Sequence, residues 1–154
     1  MDGTMKLTAA SFQSGQIPAK FTCNGAGVSP ELAWSAPPAG TASLALVVTD
    51  PDAPGGTFTH WVLYDLPART RTLPEGVPSQ GQMASGARQG RNDFGTIGYG
   101  GPCPPGHSAH RYVFTLYALD IKLNLPAGAT REQVESALRG HTLARGELIG
   151  RYKQ

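Results

Sequence analysis

The stretch Ser43–Leu66, SLALVVTDPDAPGGTFTHWVLYDL, holds two apolar runs joined by a connection of acids, prolines and glycines. The first run, Ser43 to Thr49, is too short for a stable helix and rich in Leu and Val, so it reads as a buried strand. Phe58 to Leu66 reads as a second strand, closed by Pro67. Pleat alternation places His60, Val62, Tyr64 and Leu66 on one face and Trp61, Leu63 and Asp65 on the other. Between the strands, Asp50-Pro51-Asp52 is a turn initiator, because Asp side chains hydrogen-bond their own backbone. The same connection also has the composition of one wall of a binding site.

Outward from this pair, Arg111 to Asp120, RYVFTLYALD, is a third and stronger strand. Tyr112, Phe114, Leu116 and Ala118 alternate there with Val113, Thr115, Tyr117 and Leu119. Weaker strands are expected at Lys6 to Ala9, Leu32 to Ser35 and Gln82 to Arg88. One helix is signalled by a capping box, Thr130 with Gln133, followed by the apolar face Val134, Ala137 and Leu138. Gly140 stands where a C-terminal cap belongs. A further helical turn or two is predicted from Leu143 to Ile149, ending at Gly150. The region Thr70 to Pro105 has little periodicity, and a loop that long in a compact domain is either functional or conceals elements that periodicity does not assign. Strands separated by turn signals, with helix only late, predict a mostly β fold. The expected architecture is an antiparallel β-sandwich with one or two short C-terminal helices, in a single domain 1–154.

A composition of 40% hydrophobic and 16% charged residues is that of a globular chain. The net charge is +2, from 13 basic and 11 acidic residues with no Lys/Arg stripe, so nucleic acid is not an expected partner. No apolar run approaches the roughly 18 residues of a membrane span. Met1 to Ala10 carries one Lys and no apolar core, so it does not read as a signal peptide. A cytoplasmic location is expected, with a mature form whose leader was removed as the alternative. Cys23 and Cys103 form no C-x-x-C pair, which argues against a zinc site or redox motif. Two free thiols in a reducing compartment is the favoured reading, and a disulfide the other.

His60 and His110 each follow a Gly/Pro-rich connection at the start of a strand. If those strands share a sheet, both imidazoles lie at one end of it, with Asp50 beside them. Two imidazoles and the N–H groups of a glycine loop can surround an anion. Asp50 and Asp52 can hold the ring orientations. Gly100 and Gly101 let backbone approach a ligand closely, and Pro102, Pro104 and Pro105 stiffen the wall. Each feature also has a plain structural reading: a turn, a packed strand histidine, a bend. His107 and His110 lack the helical frame of an H-E-x-x-H zinc site, so no metal is expected. There is no G-x-S-x-G elbow to support nucleophilic catalysis, and GYGG at Gly98 to Gly101 fits neither a P-loop nor a Rossmann turn, so no cofactor is expected.

DPDAP, the following HW, and GYGGPCPPG with HRYVFTLYALD together resemble the phosphatidylethanolamine-binding protein family, in its bacterial and archaeal Raf kinase inhibitor-like branch. FTCNGAGVSPELAW, RNDFG and GHTLARGELIGRY extend the resemblance over nearly the whole chain. It implies a β-sandwich with short C-terminal helices and a small pre-formed pocket for phosphate-like headgroups. By motif it assigns Asp50, Asp52, Pro54, His60, Gly100, Gly101, Pro102, His110 and Tyr112 to ligand binding. Arg111 alternates away from Tyr112 and is expected to be structural. The segment CPPGHSAH is slightly longer than in animal members, and His107 has no role to carry over. The longer C-terminal helical extension of animal members does not follow Tyr152, so an open pocket, or one closed by a second subunit, is expected. The function implied is non-enzymatic binding of a small phosphate-bearing or other anionic ligand. The alternatives are a regulator that inhibits a kinase or serine protease and, third, a small hydrolase with His60 or His110 as general base. Homodimerisation is implied by the resemblance alone.

Overall fold

A computed structural model describes residues 3–154; Met1 and Asp2, part of the segment read as lacking a leader, lie outside the described residues. In chain order the strands are β1 (Gly3–Thr4), β2 (Leu7–Thr8), β3 (Leu32–Trp34), β4 (Ser43–Asp50) and β5 (Phe58–Pro67). They continue with β6 (Thr72–Leu73), β7 (Arg88–Gln89), β8 (His110–Leu119) and β9 (Thr142–Tyr152). The one α-helix among the described residues, α1, spans Arg131–Leu138. A six-stranded sheet runs β1-β9-β8-β4-β5-β7, and a three-stranded sheet runs β2-β3-β6. All pairings in both sheets are antiparallel except β1 with β9.

The two sheets face each other across the main core. Leu7, Leu32, Trp34 and Leu73 of the small sheet pack into one cluster with Leu44, Leu46, Val48, Trp61, Leu63, Phe114 and Leu116 of the large one. On the outer face of the large sheet, Val134 and Leu138 of α1 cover Ala45, Val62, Tyr64 and Leu119. Strand β4 is therefore buried on both faces, which explains why it reads as a continuous apolar run. Helix α1 starts as its sequence predicts. The Thr130 hydroxyl accepts from Gln133 N–H, and the Gln133 side chain accepts from Thr130 N–H. Gly140, just past the helix, has φ 83°. Among the described residues no helix is long and apolar enough to cross a membrane.

The structure corrects several expectations. Leu143 to Ile149 is not helical but the middle of β9, paired along its length with β8. Gly146 weakens any helix there, and the strand brings both it and Gly150 close to other groups: a Cβ on Gly146 would stand 2.6 Å from the Met5 carbonyl, and one on Gly150 2.6 Å from Ile17. The strand expected at Gln82 to Arg88 shrinks to a bridge between those two residues, with β7 beginning at Arg88. Simple alternation also fails in β5, because it carries two bulges. Val48 pairs with Trp61 and Thr49 with Thr59, which leaves His60 as an extra residue. Leu46 pairs with Leu63 and Leu44 with Leu66, and Asp65 in that second irregularity has φ 56°. Leu66 thus returns to the inner face with Trp61 and Leu63, while Val62 and Tyr64 face α1.

Candidate functional site

Antiparallel order brings the end of β4 beside the starts of β5 and β8. On β4 the inner face carries Leu44, Leu46 and Val48, and the next residue in that series is Asp50. On β8 it carries Ala118, Leu116, Phe114 and Tyr112, and the next is His110. The site is therefore the polar end of the inter-sheet core. The bulge at His60 turns that ring from the α1 side to the same face, 5.2 Å from the Tyr112 ring.

Every ring orientation here is set by a specific bond. The Asp50 Oδ1 oxygen accepts from Asp52 N–H at 2.8 Å, closing the expected Asp turn. Its Oδ2 oxygen accepts from His110 Nδ1 at 2.7 Å, with both side chains buried. His60 Nδ1 lies 2.6 Å from the Gly100 carbonyl. A carbonyl only accepts, so the proton is assigned to Nδ1 and Nε2 is left for other partners. Gly100 N–H returns a bond to the His60 carbonyl at 2.8 Å. Burial pushes the His60 pKa below its ordinary value, helped by His110, while the Gly100 carbonyl, Asp50 and Asp93 oppose the shift. His60 is therefore neutral at pH 7. Tyr112 is 1% exposed, and its buried hydroxyl has no hydrogen-bond partner among the described residues. Burial, with Asp50 and Asp52 nearby, pushes its pKa far up, so it is a donor at any physiological pH.

These groups open into a cavity of about 190 Å³. Asp50, Pro54, His60, His110 and Tyr112 line it. Asp52, Gly100, Gly101 and Pro102 stand behind it and act as supports. Asp52 accepts from the Arg111 backbone N–H at 2.9 Å and from its guanidinium at 3.0 and 2.9 Å. Those bonds hold the Asp52 carboxyl down at about 2, and they lock the DPDAP turn to the start of β8. Arg111 thus takes the structural part expected of it. A Cβ on Gly101 would stand 2.6 Å from the Phe21 carbonyl, so glycine is required there for close passage of two chains. The Pro102 carbonyl accepts from Cys23 N–H at 3.0 Å.

Residues beyond the motif assignments complete the wall: Ala53, Phe58, Phe94, Cys103, Pro104 and Pro105. The reading of two free thiols is overturned, since Cys23 and Cys103 form a disulfide with a Cα–Cα distance of 5.4 Å. Spacing along the chain carries no signal of this, because the partners lie 80 residues apart. Phe94 was legible only as an isolated aromatic in the polar segment RNDFG. Among the described residues no Lys, Arg, Ser or Thr lines the cavity. Its polar chemistry is one carboxylate, two imidazoles and one phenol. His107 is exposed and stands outside it.

Comparison with known proteins follows the same outline. The sequence model of the family described as phosphatidylethanolamine-binding protein matches residues 8–153. A UPF0098 protein of Aquifex aeolicus is 50% identical over 153 residues, covering 97% of this chain and 89% of the relative. The crystal structure of CT736, a phosphatidylethanolamine-binding protein homolog from Chlamydia trachomatis, superposes with a TM-score of 0.89 at 41% identity. That of Escherichia coli YbcL also gives 0.89, at 33% identity. Both structural matches cover 99% of this chain and 99% of the other.

Proposed function

This chain belongs to the phosphatidylethanolamine-binding protein family, and from that premise we propose that it is a non-enzymatic binder of a small phosphate-bearing or other anionic ligand. The observation that carries this reading is the Tyr112 hydroxyl, a buried donor on the cavity wall without an acceptor. Leaving such a group unpaired costs about 1–3 kcal/mol, so a ligand oxygen placed there recovers energy that the empty protein forgoes. His60 and His110 each commit Nδ1–H to the protein, which leaves Nε2 of both rings for the same ligand, accepting from a ligand hydroxyl when the ring is neutral and donating to an anionic oxygen when it is protonated. A non-enzymatic role is supported by what lines the cavity. Cys103 is tied up in a disulfide, and among the described residues no Ser, Thr or Lys lines the cavity to serve as a nucleophile.

Tyr112→Phe tests the reading with two measurements of opposite sign. The variant sheds the unpaired hydroxyl, so the empty protein gains stability or stays level in urea denaturation. Its affinity for inorganic phosphate falls about tenfold by calorimetry, the equivalent of one lost hydrogen bond. Equal phosphate affinity in both proteins overturns the reading, as does turnover of phosphate esters that vanishes in His110→Ala.

The same proposal sets the surroundings. The disulfide favours an oxidising compartment over the cytoplasm expected from the sequence. Thiol trapping after cell fractionation decides between the two. Homodimerisation and inhibition of a kinase or serine protease rest on family resemblance, and sedimentation and an inhibition panel test them.

A further inference from the structure

Phe94 is the large hydrophobic side chain that the described residues leave most open, at 50% exposure, and it stands on the cavity wall. Its exposure is not that of a loose loop tip. Asn92, only 2% exposed, accepts from Phe94 N–H at 2.9 Å and from Thr96 N–H at 3.2 Å, and donates to the Gly98 carbonyl at 2.9 Å. Asp93 accepts from Thr59 N–H at 2.7 Å and donates its own N–H to the Thr59 carbonyl at 2.8 Å. The loop is thus fastened to β5 immediately before the His60 bulge.

The ring itself is equally constrained. It meets Phe58 edge-on at 4.8 Å and His60 edge-on at 5.5 Å. It also lies against the Gly100 backbone, where a Cβ would come within 2.4 Å of it. A buried amide network, a glycine and two aromatic edges therefore hold one half of a phenyl ring and leave the other half uncovered. Ordering this wall costs a ligand little, because the protein has already ordered it.

The cavity divides in two by chemistry. Asp50, His60, His110 and Tyr112 supply its polar floor. Phe58, Phe94, Pro54, Pro104 and Pro105 supply apolar surface that no phosphate oxygen can pair with. Resting on the phosphate reading above, we propose that Phe94 determines specificity, and that the ligand is a phosphate monoester whose alcohol part is a flat apolar group packed against that ring. Free phosphate and esters of small polar alcohols fill only the floor. An aromatic pair contributes about 0.5–1.5 kcal/mol beyond its buried area, which corresponds to roughly two- to twelvefold in affinity.

The test uses the intact protein and three probes: inorganic phosphate, glycerol phosphate and phenyl phosphate. Calorimetry on the parent chain is expected to rank phenyl phosphate tightest by at least that factor. Phe94→Ala is expected to bring phenyl phosphate down to the level of glycerol phosphate, with a smaller change for inorganic phosphate. Thermal melts check that the variant remains folded, as a half-exposed site permits. Equal affinity for phenyl and glycerol phosphate in the parent overturns the proposal while leaving the anion pocket standing. A uniform loss for all three probes in Phe94→Ala overturns it in favour of a structural role. Tighter inorganic phosphate in Phe94→Ala overturns it in favour of a ring that obstructs the mouth. Failure of every probe to bind the parent overturns this proposal and the phosphate reading together.

Discussion

Breaking the Cys23–Cys103 link changes stability through the unfolded chain more than through any contact in the folded one. The two partners are 80 residues apart in sequence. A cross-link closing a loop of that length removes unfolded-state entropy worth about 4–5 kcal/mol at 25 °C in the chain-entropy treatment. That is a large share of the roughly 5–15 kcal/mol that holds a domain together. The folded state keeps other ties in the same place. Cys23 N–H still donates to the Pro102 carbonyl, Gln154 to the Pro104 carbonyl, and Asn24 to the Tyr152 hydroxyl. The double variant Cys23→Ser, Cys103→Ser is therefore expected to fold with its sheets intact but at reduced stability. With a urea dependence of about 2 kcal/mol per molar, the midpoint falls by about 2 M. Reduction of the parent protein with a dithiol should reproduce the shift. A midpoint change below about 0.5 M in both experiments refutes the entropic argument. Two reactive thiols in the native oxidised protein refute the pairing itself.

Three further outcomes follow from the geometry. The His60 pKa is lower in the folded protein than in the unfolded chain, so its neutral form is the one folding favours. Its contribution to stability is present above the ordinary histidine value near 6.5 and declines as pH falls below it. Anion binding works in the reverse direction. With no Lys or Arg on the cavity wall, an anion favours protonated imidazole, so affinity rises as pH falls. Sulfate keeps its charge over this range and isolates the protein's part. Its affinity should rise by up to about tenfold per pH unit below neutrality, and a flat profile from pH 8 to 5.5 contradicts the argument. Gly101→Ala forces a Cβ to within 2.6 Å of a main-chain oxygen that cannot swing aside. It should lower stability by about 1–3 kcal/mol in chemical denaturation, and an unchanged midpoint shows that the segment relaxes freely.

The parts of this fold that were legible in the sequence are those whose cause is local. β4, β5 and β8 announce themselves by apolar runs, and α1 by a capping box whose two bonds lie within four residues. The candidate site was legible through the motif resemblance rather than through spacing, which left DPDAP readable as a plain turn. The pairing of β4 with β8 then brings the DPDAP and HRY strand ends together. What stayed hidden depends on partners distant in sequence. β9 looks helical until β8 pairs with it, and its glycines make sense only against Met5 and Ile17. Asp52 reads as a ligand-binding acid until Arg111 is seen to occupy it. The disulfide and the half-open Phe94 are meetings of loops, and no periodicity encodes those.

The single extra residue at His60 has a consequence for how this protein can change. Side chains along a strand point by parity, odd to one layer and even to the other. The bulge breaks that parity one step before Trp61, so His60 and Trp61 share a layer instead of opposing each other. Whether an imidazole looks into the cavity or toward the helix is then fixed by a count of residues rather than by their chemistry. Substitutions in Phe58–Trp61 alter what the wall is made of. Removing or adding one residue there reverses which wall it is, and every bond described for His60 is lost at once.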